Sequence, residues 1–544
     1  MASLWPGCVY WQLQAISPHP AGQIDDEMTK RARVRLRHTT LFLFSTHFGR
    51  PAVMLEQGDR YSERENAMTT DSAKIRAKLD HPLIDGDSHI IEYTPVLMDY
   101  LRDAGGADAV ADFAQQTRGG RSAGWYQMSW EERRYHRNVR APWWALPTRN
   151  TYDRCTAMLP KLYHERMDDF GLDFAVLYPT AGLAFPALPD DEFRPLICHA
   201  YNEYIADCYA PYADRMTPAA AIPLHTPDEG IRELEHAKSL GLKVAMIPSF
   251  VRRPVPRIAE EHPELAKQIT WLDNYAIDSE YDYDPFWAKC VELGFAVAAH
   301  SGGMGFDDRK SMSNYMHNHM GHFAAAGEVL CKGLLMGGVT RRFPNLRVAL
   351  LEGGVVNGSR LYVDIHARWK KRNLAAVENM NPANIDVARA RELFHEYGAS
   401  GVRDHIDSLE ETLGVNRGDV PLDVRDDFSR MEIEGPEDIS KLFIPNFYFG
   451  CEADDSLAFM AFNRKAYPTH DQVRAIMSFD LGHWDVTDMN GAAAEAYEQL
   501  EDGLIDEVDF KTFAFSNSVQ LYGGANPGFF DGTIIEAEAR AELA

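Results

Sequence analysis

Short apolar segments recur along this chain at spacings that leave room for a helix between most of them, which constrains the fold more than any other feature. The segments are continuously apolar rather than alternating, as is typical of strands buried on both faces of a parallel sheet. Residues 228–240 and 285–293 are amphipathic and end at Gly241 and Gly294, which is typical of helices. Strand–helix repetition predicts an α/β fold, a (β/α)₈ TIM-like barrel, with an open doubly wound sheet as the alternative. The eight predicted strands are 83–88, 174–178, 219–223, 244–247, 295–300, 347–352, 447–450 and 475–480.

Three of the predicted strands end on side chains that commonly bind metals. Asp87 and His89 end the first strand, His300 ends the fifth and Asp480 ends the eighth. Because Asp87 and His89 are two residues apart, their side chains point to the same side of the strand. The carboxyl ends of all barrel strands meet at one mouth, whereas an open sheet would not bring these three together. Two imidazoles and two carboxylates in that place predict a catalytic divalent metal site.

The composition disfavours several classes of function. The 544 residues carry a formal net charge of −26, which argues against nucleic acid or an anionic membrane as partner, because both bind basic surfaces. The apolar runs are far shorter than the roughly 18–20 residues of a membrane helix. The seven cysteines lack paired spacings, so a disulfide framework is not expected and a cytoplasmic location is the default.

Residues 1–67 and 68–544 differ in character. Residues 1–67 show no sustained periodicity, and we interpret them as disordered or as an over-extended translation start, with an N-terminal helper segment as the alternative. Residues 68–544 are predicted to form a single barrel domain. The connections at about 93–170, after the first strand, and about 360–445, after the sixth, are too long for simple crossovers. Such insertions usually form lids or subunit contacts, so we expect a homodimer or a higher homo-oligomer.

Four motifs occur along the chain in an order that resembles a known family. The order resembles the amidohydrolase-related group, which contains aminocarboxymuconate-semialdehyde decarboxylase, γ-resorcylate decarboxylase and many metal-dependent hydrolases. The resemblance runs from about residue 83 to about residue 490 and implies a metal-dependent enzyme with a small-molecule substrate, without specifying the reaction. The motifs are Ile84-Asp85-Gly86-Asp87-Ser88-His89, Gly171-Leu172-Asp173-Phe174-Ala175-Val176-Leu177-Tyr178-Pro179-Thr180, Arg342-Phe343-Pro344-Asn345-Leu346-Arg347-Val348 and Ser478-Phe479-Asp480-Leu481-Gly482-His483-Trp484-Asp485.

The same resemblance implies a ligand set. One Zn²⁺ or Mn²⁺ ion would be held by Asp87, His89, His300 and Asp480. The first ligand of the family is often His, and Asp87 stands there in this chain. The additional oxygen ligand shifts the expected preference from Zn²⁺ toward Mn²⁺.

The sixth predicted strand departs from the family pattern. Many members end this strand on a His that transfers protons, whereas this chain has Glu352 followed by two glycines. Glu352 is a candidate general acid/base if burial raises its pKa. The alternatives are a carboxylate that orients a ligand His, or a structural carboxylate tied to an Arg. His483, three residues after Asp480, is a second candidate for acid/base catalysis or substrate contact, and an exposed loop His is the alternative.

Two further residues are candidate substrate contacts. We interpret the His-rich run 315–322 as the start of a helix rather than as a second metal site, with His322 facing the pocket. Arg140, in the first insertion, is a candidate partner for a substrate carboxylate, because a guanidinium matches that geometry. Exposed arginines beside acidic neighbours are the alternative for this insertion.

The main hypothesis is therefore a metal-dependent hydrolase that acts on a small carboxylate-bearing, cyclic or aromatic substrate through a metal-activated water. Asp480 would accept the proton of that water, and Glu352 or His483 would serve the leaving group. The alternative is a metal-dependent non-oxidative decarboxylase. A minor alternative is a non-catalytic interaction protein with a structural ion, because a fold by itself does not determine a function.

Overall fold

The computed structural model of the protein describes residues 70–118, 123–140, 149–300, 310–414 and 425–544. These residues belong to one compact unit, Met68–Ala544. The predictions made for residues 1–67 lie outside the described residues and stay predictions. In the described ranges, no helix combines the length and the apolar character needed to cross a lipid bilayer.

Eight parallel strands form the central sheet, and each is hydrogen-bonded to its neighbours in the order β1-β2-β3-β4-β7-β8-β9-β10. The two remaining strands, β5 and β6, form a separate antiparallel pair. In chain order the strands are β1 (Ile84–Ile90), β2 (Phe174–Pro179), β3 (Met216–Ala221), β4 (Val244–Ile247), β5 (Val251–Pro254), β6 (Thr270–Asp273), β7 (Ala296–Ala299), β8 (Val348–Leu350), β9 (Phe447–Cys451) and β10 (Arg474–Met477).

Backbone hydrogen bonds close the sheet between its first and last strands. The amide of His89 donates to the carbonyl of Leu481 over 2.9 Å, and the amide of Asp480 donates to the carbonyl of Asp87 over 2.8 Å. Nearly every residue of the eight strands is buried, as expected for a parallel sheet covered by helices outside and by packed side chains inside. The predicted (β/α)₈ TIM-like barrel is therefore confirmed.

The helices occupy the connections between strands. Among the described residues, five of them, α2 to α6 below, follow β1, and another five, α14 to α18, follow β8, at the positions of the two predicted insertions. The helices are α1 (Asp71–Arg76), α2 (Thr94–Arg118, kinked at Gly106), α3 (Ala123–Gln127), α4 (Trp130–His136), α5 (Thr151–Thr156), α6 (Pro160–Phe170), α7 (Phe193–Tyr209), α8 (Pro227–Ser239), α9 (Pro256–Glu261), α10 (Asp284–Leu293), α11 (Tyr315–His319), α12 (His322–Met336), α13 (Val339–Arg342), α14 (Val355–Arg372), α15 (Val387–Tyr397), α16 (Ser400–Asp404), α17 (Leu409–Leu413), α18 (Pro436–Phe443), α19 (Ala492–Glu501), α20 (Glu507–Lys511), α21 (Asn517–Ala525) and α22 (Glu536–Leu543).

The sequence patterns place most strands to within two or three residues. The third strand begins at Met216 rather than at residue 219, because the apolar run continues past a Pro that the strand accommodates. The predicted helix 228–240 is α8, whose first turn is fixed by a capping box between Thr226 and Glu229. The predicted helix 285–293 is α10, which ends at Gly294 in the left-handed conformation.

A buried ion pair ties the first insertion to the segment that follows the last strand. Arg166 on α6 donates to Asp153 on α5 over 2.7 Å and to the side chain of Asn490 over 3.1 Å. Asp153 also accepts a hydrogen bond from the amide of Met489 over 2.9 Å. Both charged residues are only 2% exposed. Since each charge is satisfied only by the other and by polar neighbours, the loss of one leaves the other buried and unpaired.

We expect Arg166→Ala to lower the free energy of unfolding by about 3–5 kcal/mol, the usual cost of leaving one buried charge without its partner. Chemical denaturation monitored by circular dichroism measures this change. Lys161→Ala, on the exposed face of the same helix, is the control and should change stability little. Equal stability of the two variants would contradict a structural role for the ion pair.

Candidate metal centre

Five imidazole and carboxylate side chains meet at the carboxyl-terminal mouth of the barrel. All five are buried, with at most 5% of any side chain exposed. The structure thus brings together the four ligands predicted from the sequence and adds one residue, Glu352, to them. The five are Asp87 and His89 on β1, His300 directly after β7, Glu352 just after β8 and Asp480 just after β10.

Donor atoms of Asp87, His89, His300 and Glu352 all lie within 4.8 Å of one another, and Asp480 belongs to an overlapping group with His89, Glu352 and His483. Glu352 Oε1 lies 3.0 Å from His300 Nε2, and Asp480 Oδ1 lies 3.0 Å from His89 Nε2. The two Nε2 atoms are 3.3 Å apart, and Asp87 Oδ1 lies 3.5 and 3.6 Å from them. Metal–ligand bonds of about 2.0–2.2 Å place neighbouring ligand atoms about 3 Å apart, so these separations suit a shared cation.

The orientation of His89 supports metal binding. Its Nδ1 lies 3.0 Å from the carbonyl oxygen of Pro179, an acceptor that requires the ring proton on Nδ1. Nε2 is therefore the nitrogen that faces the carboxylate oxygens of the cluster, and after loss of its proton it would be the atom that binds a cation. A backbone carbonyl that fixes the ring in this way is a usual feature of metal-binding histidines.

The carboxylates of the cluster lack other partners. Both oxygens of Asp87 and the Oε1 atom of Glu352 are buried and form no hydrogen bond within the described part of the chain. A buried carboxylate without a partner is costly, because it has lost its water and gained nothing in return. Two such carboxylates beside two imidazoles fit a divalent cation, which would supply the missing positive charge.

Two of the five residues have unusual backbone conformations. Glu352 has φ 52° and Asp480 has φ 55°, in the left-handed region that residues other than glycine rarely adopt. Such conformations cost free energy and occur often at functional sites. Here they turn the two carboxylates into the barrel mouth immediately after their strands end.

Asp85 positions the ligands at the closure of the barrel. Its Oδ1 accepts hydrogen bonds from the amide of Asp87 over 3.0 Å and from the amide of Phe479 over 2.9 Å, and its Oδ2 accepts one from Ser88. The residue is fully buried, and burial raises the pKa of its carboxyl to about 6. Asp85 lies within the first of the four sequence motifs, but it was not predicted as a site residue. The available signal was a second carboxylate in the same buried strand, two residues before Asp87.

His483 lies against the cluster rather than in the open cleft. Its ring stacks on that of His89 with 3.7 Å between centroids. Its Nδ1 lies 2.8 Å from Asp480 and its Nε2 lies 3.1 Å from the hydroxyl of Thr180. Burial and the positive charge of His89 lower its pKa to about 3. A neutral imidazole with both nitrogens close to partners is better suited to supporting Asp480 than to donating protons, so the predicted acid/base role stays a prediction.

A cleft of about 260 Å³ opens beside Glu352. Its wall combines apolar and aromatic side chains with an unusual concentration of carboxyl groups. Two acids of this wall, Glu452 and Asp485, were not predicted as site residues, although Glu452 directly follows β9 and Asp485 ends the last of the four motifs. The lining residues are Met316, His319, Met320, Gly321, Phe323, Glu352, Glu452, Asp454, Trp484 and Asp485.

Glu452 and Asp485 are held in the neutral form. Burial and the nearby charge of Asp480 raise the pKa of Glu452 to about 10 and that of Asp485 to about 8. Desolvation and like charges act in the same direction on a carboxyl group, since both disfavour the anion. The cleft therefore carries proton donors beside the candidate ligands.

The two predicted substrate contacts lie near the cleft without lining it. Arg140 stacks on Trp125 at 4.3 Å and donates to the hydroxyl of Tyr126 over 2.6 Å, so its guanidinium is occupied within the insertion. His322 is buried at the start of α12 with its ring edge-on to Phe323, whereas His319, at the end of α11, lines the cleft. Their contact with substrate stays a prediction.

The central part of the chain matches a known protein family. Residues 157–417 match the model of the family described as amidohydrolase. This confirms the resemblance seen in the sequence motifs. The amidohydrolase match includes His300 and Glu352, while Asp87, His89 and Asp480 come from the flanking parts of the barrel. No curated protein matched the chain by sequence.

Solved structures with a similar fold are distant from this chain. A dihydroxybenzoic acid decarboxylase from Polaromonas sp. JS666, with bound manganese and an inhibitor, is 16% identical, with 81% of this chain and 97% of that chain covered and a TM-score of 0.42. A 2,6-dihydroxybenzoate decarboxylase from Rhizobium is 16% identical, with 81% and 98% covered and a TM-score of 0.41. An amidohydrolase from Mycobacterium avium subsp. paratuberculosis K-10 is 15% identical, with 82% and 100% covered and a TM-score of 0.46. Scores this low support no conclusion about activity.

The geometry predicts that Glu352 is a ligand rather than a proton-transfer group. We expect Glu352→Gln to weaken metal binding by more than the about 10- to 100-fold that is lost with an outer hydrogen-bond partner, because a neutral amide replaces a charged ligand. Titration of chelator-treated protein with Mn²⁺ measures this change. Glu452→Gln, which alters a carboxyl of the same cleft, is the control and should bind the ion as the parent does. Normal metal affinity in Glu352→Gln with turnover reduced by about 10²–10⁴ would instead support the acid/base role.

Proposed function

We propose that the protein is a metal-dependent, non-oxidative decarboxylase of small aryl carboxylates. The observation that carries this proposal is the position of Glu352 among the candidate ligands. The hydrolase hypothesis needed Glu352 or His483 as a free acid for the leaving group. Glu352 faces the ligand atoms, and His483 is neutral and engaged on both ring nitrogens. Decarboxylation needs only a bound carboxylate and one proton donor to carbon, and the cleft contains suitable donors.

The residues that would hold the ion are Asp87, His89, His300, Glu352 and Asp480. Three carboxylates and two imidazoles form a hard, oxygen-rich set, which favours Mn²⁺ over Zn²⁺. A divalent ion in this set would supply an electrophile for the substrate carboxylate. Asp85 and the Pro179 carbonyl keep the protein side of the set in place.

The shape of the cleft favours a single planar ring. Phe323, His319 and Trp484 form one wall, with His319 edge-on to both neighbours at 5.8 and 5.4 Å between ring centroids. Aromatic rings prefer such edge-to-face or offset contacts, so a substrate ring fits against this wall. The volume of about 260 Å³ is below the range of about 300–1,000 Å³ typical of drug-sized ligands, which suits one substituted ring.

Glu452 is the proposed proton donor. It lines the cleft with Glu352, and its raised pKa keeps the carboxyl protonated at neutral pH. Transfer of its proton to the ring carbon that bears the carboxylate is followed by cleavage of the carbon–carbon bond. The electrons of that bond return to the ring and CO₂ leaves, so charge and atoms balance. A divalent ion bound beside the cleft would lower the pKa of Glu452 from this raised value toward the range in which a group gives up a proton during turnover.

A substrate panel tests the reaction class. Protein loaded with Mn²⁺ should release CO₂ from a hydroxylated aryl carboxylate, measured by a coupled CO₂ assay and by the appearance of the decarboxylated phenol. The same protein should not cleave aryl esters or lactones at a comparable rate. Hydrolysis of the esters or lactones without CO₂ release from any carboxylate would contradict the proposal and restore the hydrolase hypothesis.

The proposed donor makes a separate prediction. Glu452→Gln should retain the metal yet lose about 10²–10⁴ in kcat, the usual range for removal of a general acid. Asp454→Asn changes an exposed carboxyl on the rim of the same cleft and should leave kcat close to the parent value. Equal activity of the Glu452 and Asp454 variants would exclude Glu452 as the donor.

A further inference from the structure

A second group of potential metal ligands lies on the outer wall of the barrel, between α7 and α8. We call these four residues the outer histidine cluster: His199 and Glu203 on α7, and Glu233 and His236 on α8. The pairs are spaced by four and three residues, so on each helix both side chains are on one face. None of the four belongs to the centre at the barrel mouth.

The side chains of this cluster converge across the two helices. The rings of His199 and His236 stack with 3.7 Å between centroids. Glu233 Oε2 lies 3.5 Å from His199 Nδ1, and Glu203 Oε1 lies 3.7 and 3.9 Å from the Nε2 atoms of the two histidines. Donor atoms of His199, Glu233 and His236 all lie within 4.8 Å of one another, close enough to share one ion.

Two polar groups of the cluster have weak or no hydrogen-bond partners among the described residues. The Nε2 atom of His236 is shielded from solvent and forms no hydrogen bond within the described ranges. Glu233 is 6% exposed, and its second carboxylate oxygen meets His199 only at 3.5 Å. A buried imidazole nitrogen without a partner and a buried carboxylate with a loose one are both unfavourable unless another group binds them.

The carboxylate of Glu233 is held in place from behind. Asn202 donates to Glu233 Oε1 over 2.7 Å. The same side chain donates to the carbonyl of Ala221 and accepts from its amide, so it is anchored to the end of β3. Oε2 is thereby left facing the histidines. A polar residue that orients a carboxylate from outside is a common support for metal ligands.

We propose that the outer histidine cluster binds one Zn²⁺ ion, independently of the metal at the barrel mouth. His199, Glu233 and His236 are the ligands, and a water completes a four-coordinate site. Two imidazoles with one or two carboxylates suit Zn²⁺, whereas Mg²⁺ and Ca²⁺ prefer oxygen ligands alone. The side chain of His199 is 38% exposed, which gives an ion access from solvent. Bound zinc would join α7 to α8 and favour the folded chain.

Zinc counting on the full chain tests this proposal. Chelator-treated protein is titrated with Zn²⁺ by calorimetry, with the parent compared to His199→Gln and His236→Gln. We expect each variant to bind one equivalent of zinc fewer than the parent, and Co²⁺ substitution should lose the absorption of one tetrahedral ion in parallel. His164→Gln is the matched control, because His164 pairs with Asp214 at 3.0 Å, away from the cluster, and should keep the zinc stoichiometry of the parent.

The variants must also keep their fold and the other centre. Thermal unfolding without metal should agree between the parent and the glutamine variants, and Mn²⁺ binding at the barrel mouth should be unchanged. Equal zinc stoichiometry in the parent and in both glutamine variants would overturn the proposal and leave a protonated His199 between two glutamates as the role of the cluster. Because this readout counts zinc, it does not depend on which reaction the barrel catalyses.

Discussion

The closure of the barrel between β1 and the segment after β10 is the constraint on which the candidate centre depends. Two backbone hydrogen bonds, from His89 to Leu481 and from Asp480 to Asp87, join the ends of the sheet. Asp85 reinforces the seam by binding the amide of Phe479, a residue 394 positions away in the chain. The same few residues therefore close the fold and carry three of the five candidate ligands. A disturbance of this seam is expected to affect metal binding and barrel stability together.

The charges at the barrel mouth determine which carboxyl groups could bind a cation and which could donate a proton. The centre and its cleft concentrate carboxylates in a region with little water, an arrangement that is costly without positive charge or protons. The structure shows both compensations. The innermost carboxylates face two imidazoles at the distances of a shared cation, whereas Glu452 and Asp485 are held neutral by raised pKa values. The surroundings of each carboxyl group, rather than the residue type, therefore decide whether it is a candidate ligand or a candidate proton donor.

The strand pattern was sufficient to predict the barrel and the convergence of Asp87, His89, His300 and Asp480, because the side-chain period of a strand and the common mouth of a barrel are general rules. It was not sufficient for Glu352. Whether this residue is a ligand depends on a positive φ that turns its carboxylate inward, and local composition does not encode that angle. His322 and His319 were hard to separate for a related reason, since a short helix and a break between them decide which ring faces the cleft. The outer histidine cluster needs the packing of α7 against α8 and has no signature along the sequence.

The central claim is that one ion is bound by residues on or just after β1, β7, β8 and β10. Anomalous diffraction from crystals of protein loaded only with Mn²⁺ is its most direct test. The account predicts a single strong peak at the barrel mouth, within bonding distance of His89 Nε2, His300 Nε2 and the carboxylates of Asp87, Glu352 and Asp480. A peak at this place with Glu352 turned away from the ion would contradict the assignment of Glu352 as a ligand. The absence of a peak at the mouth of fully loaded protein would contradict the metal centre itself.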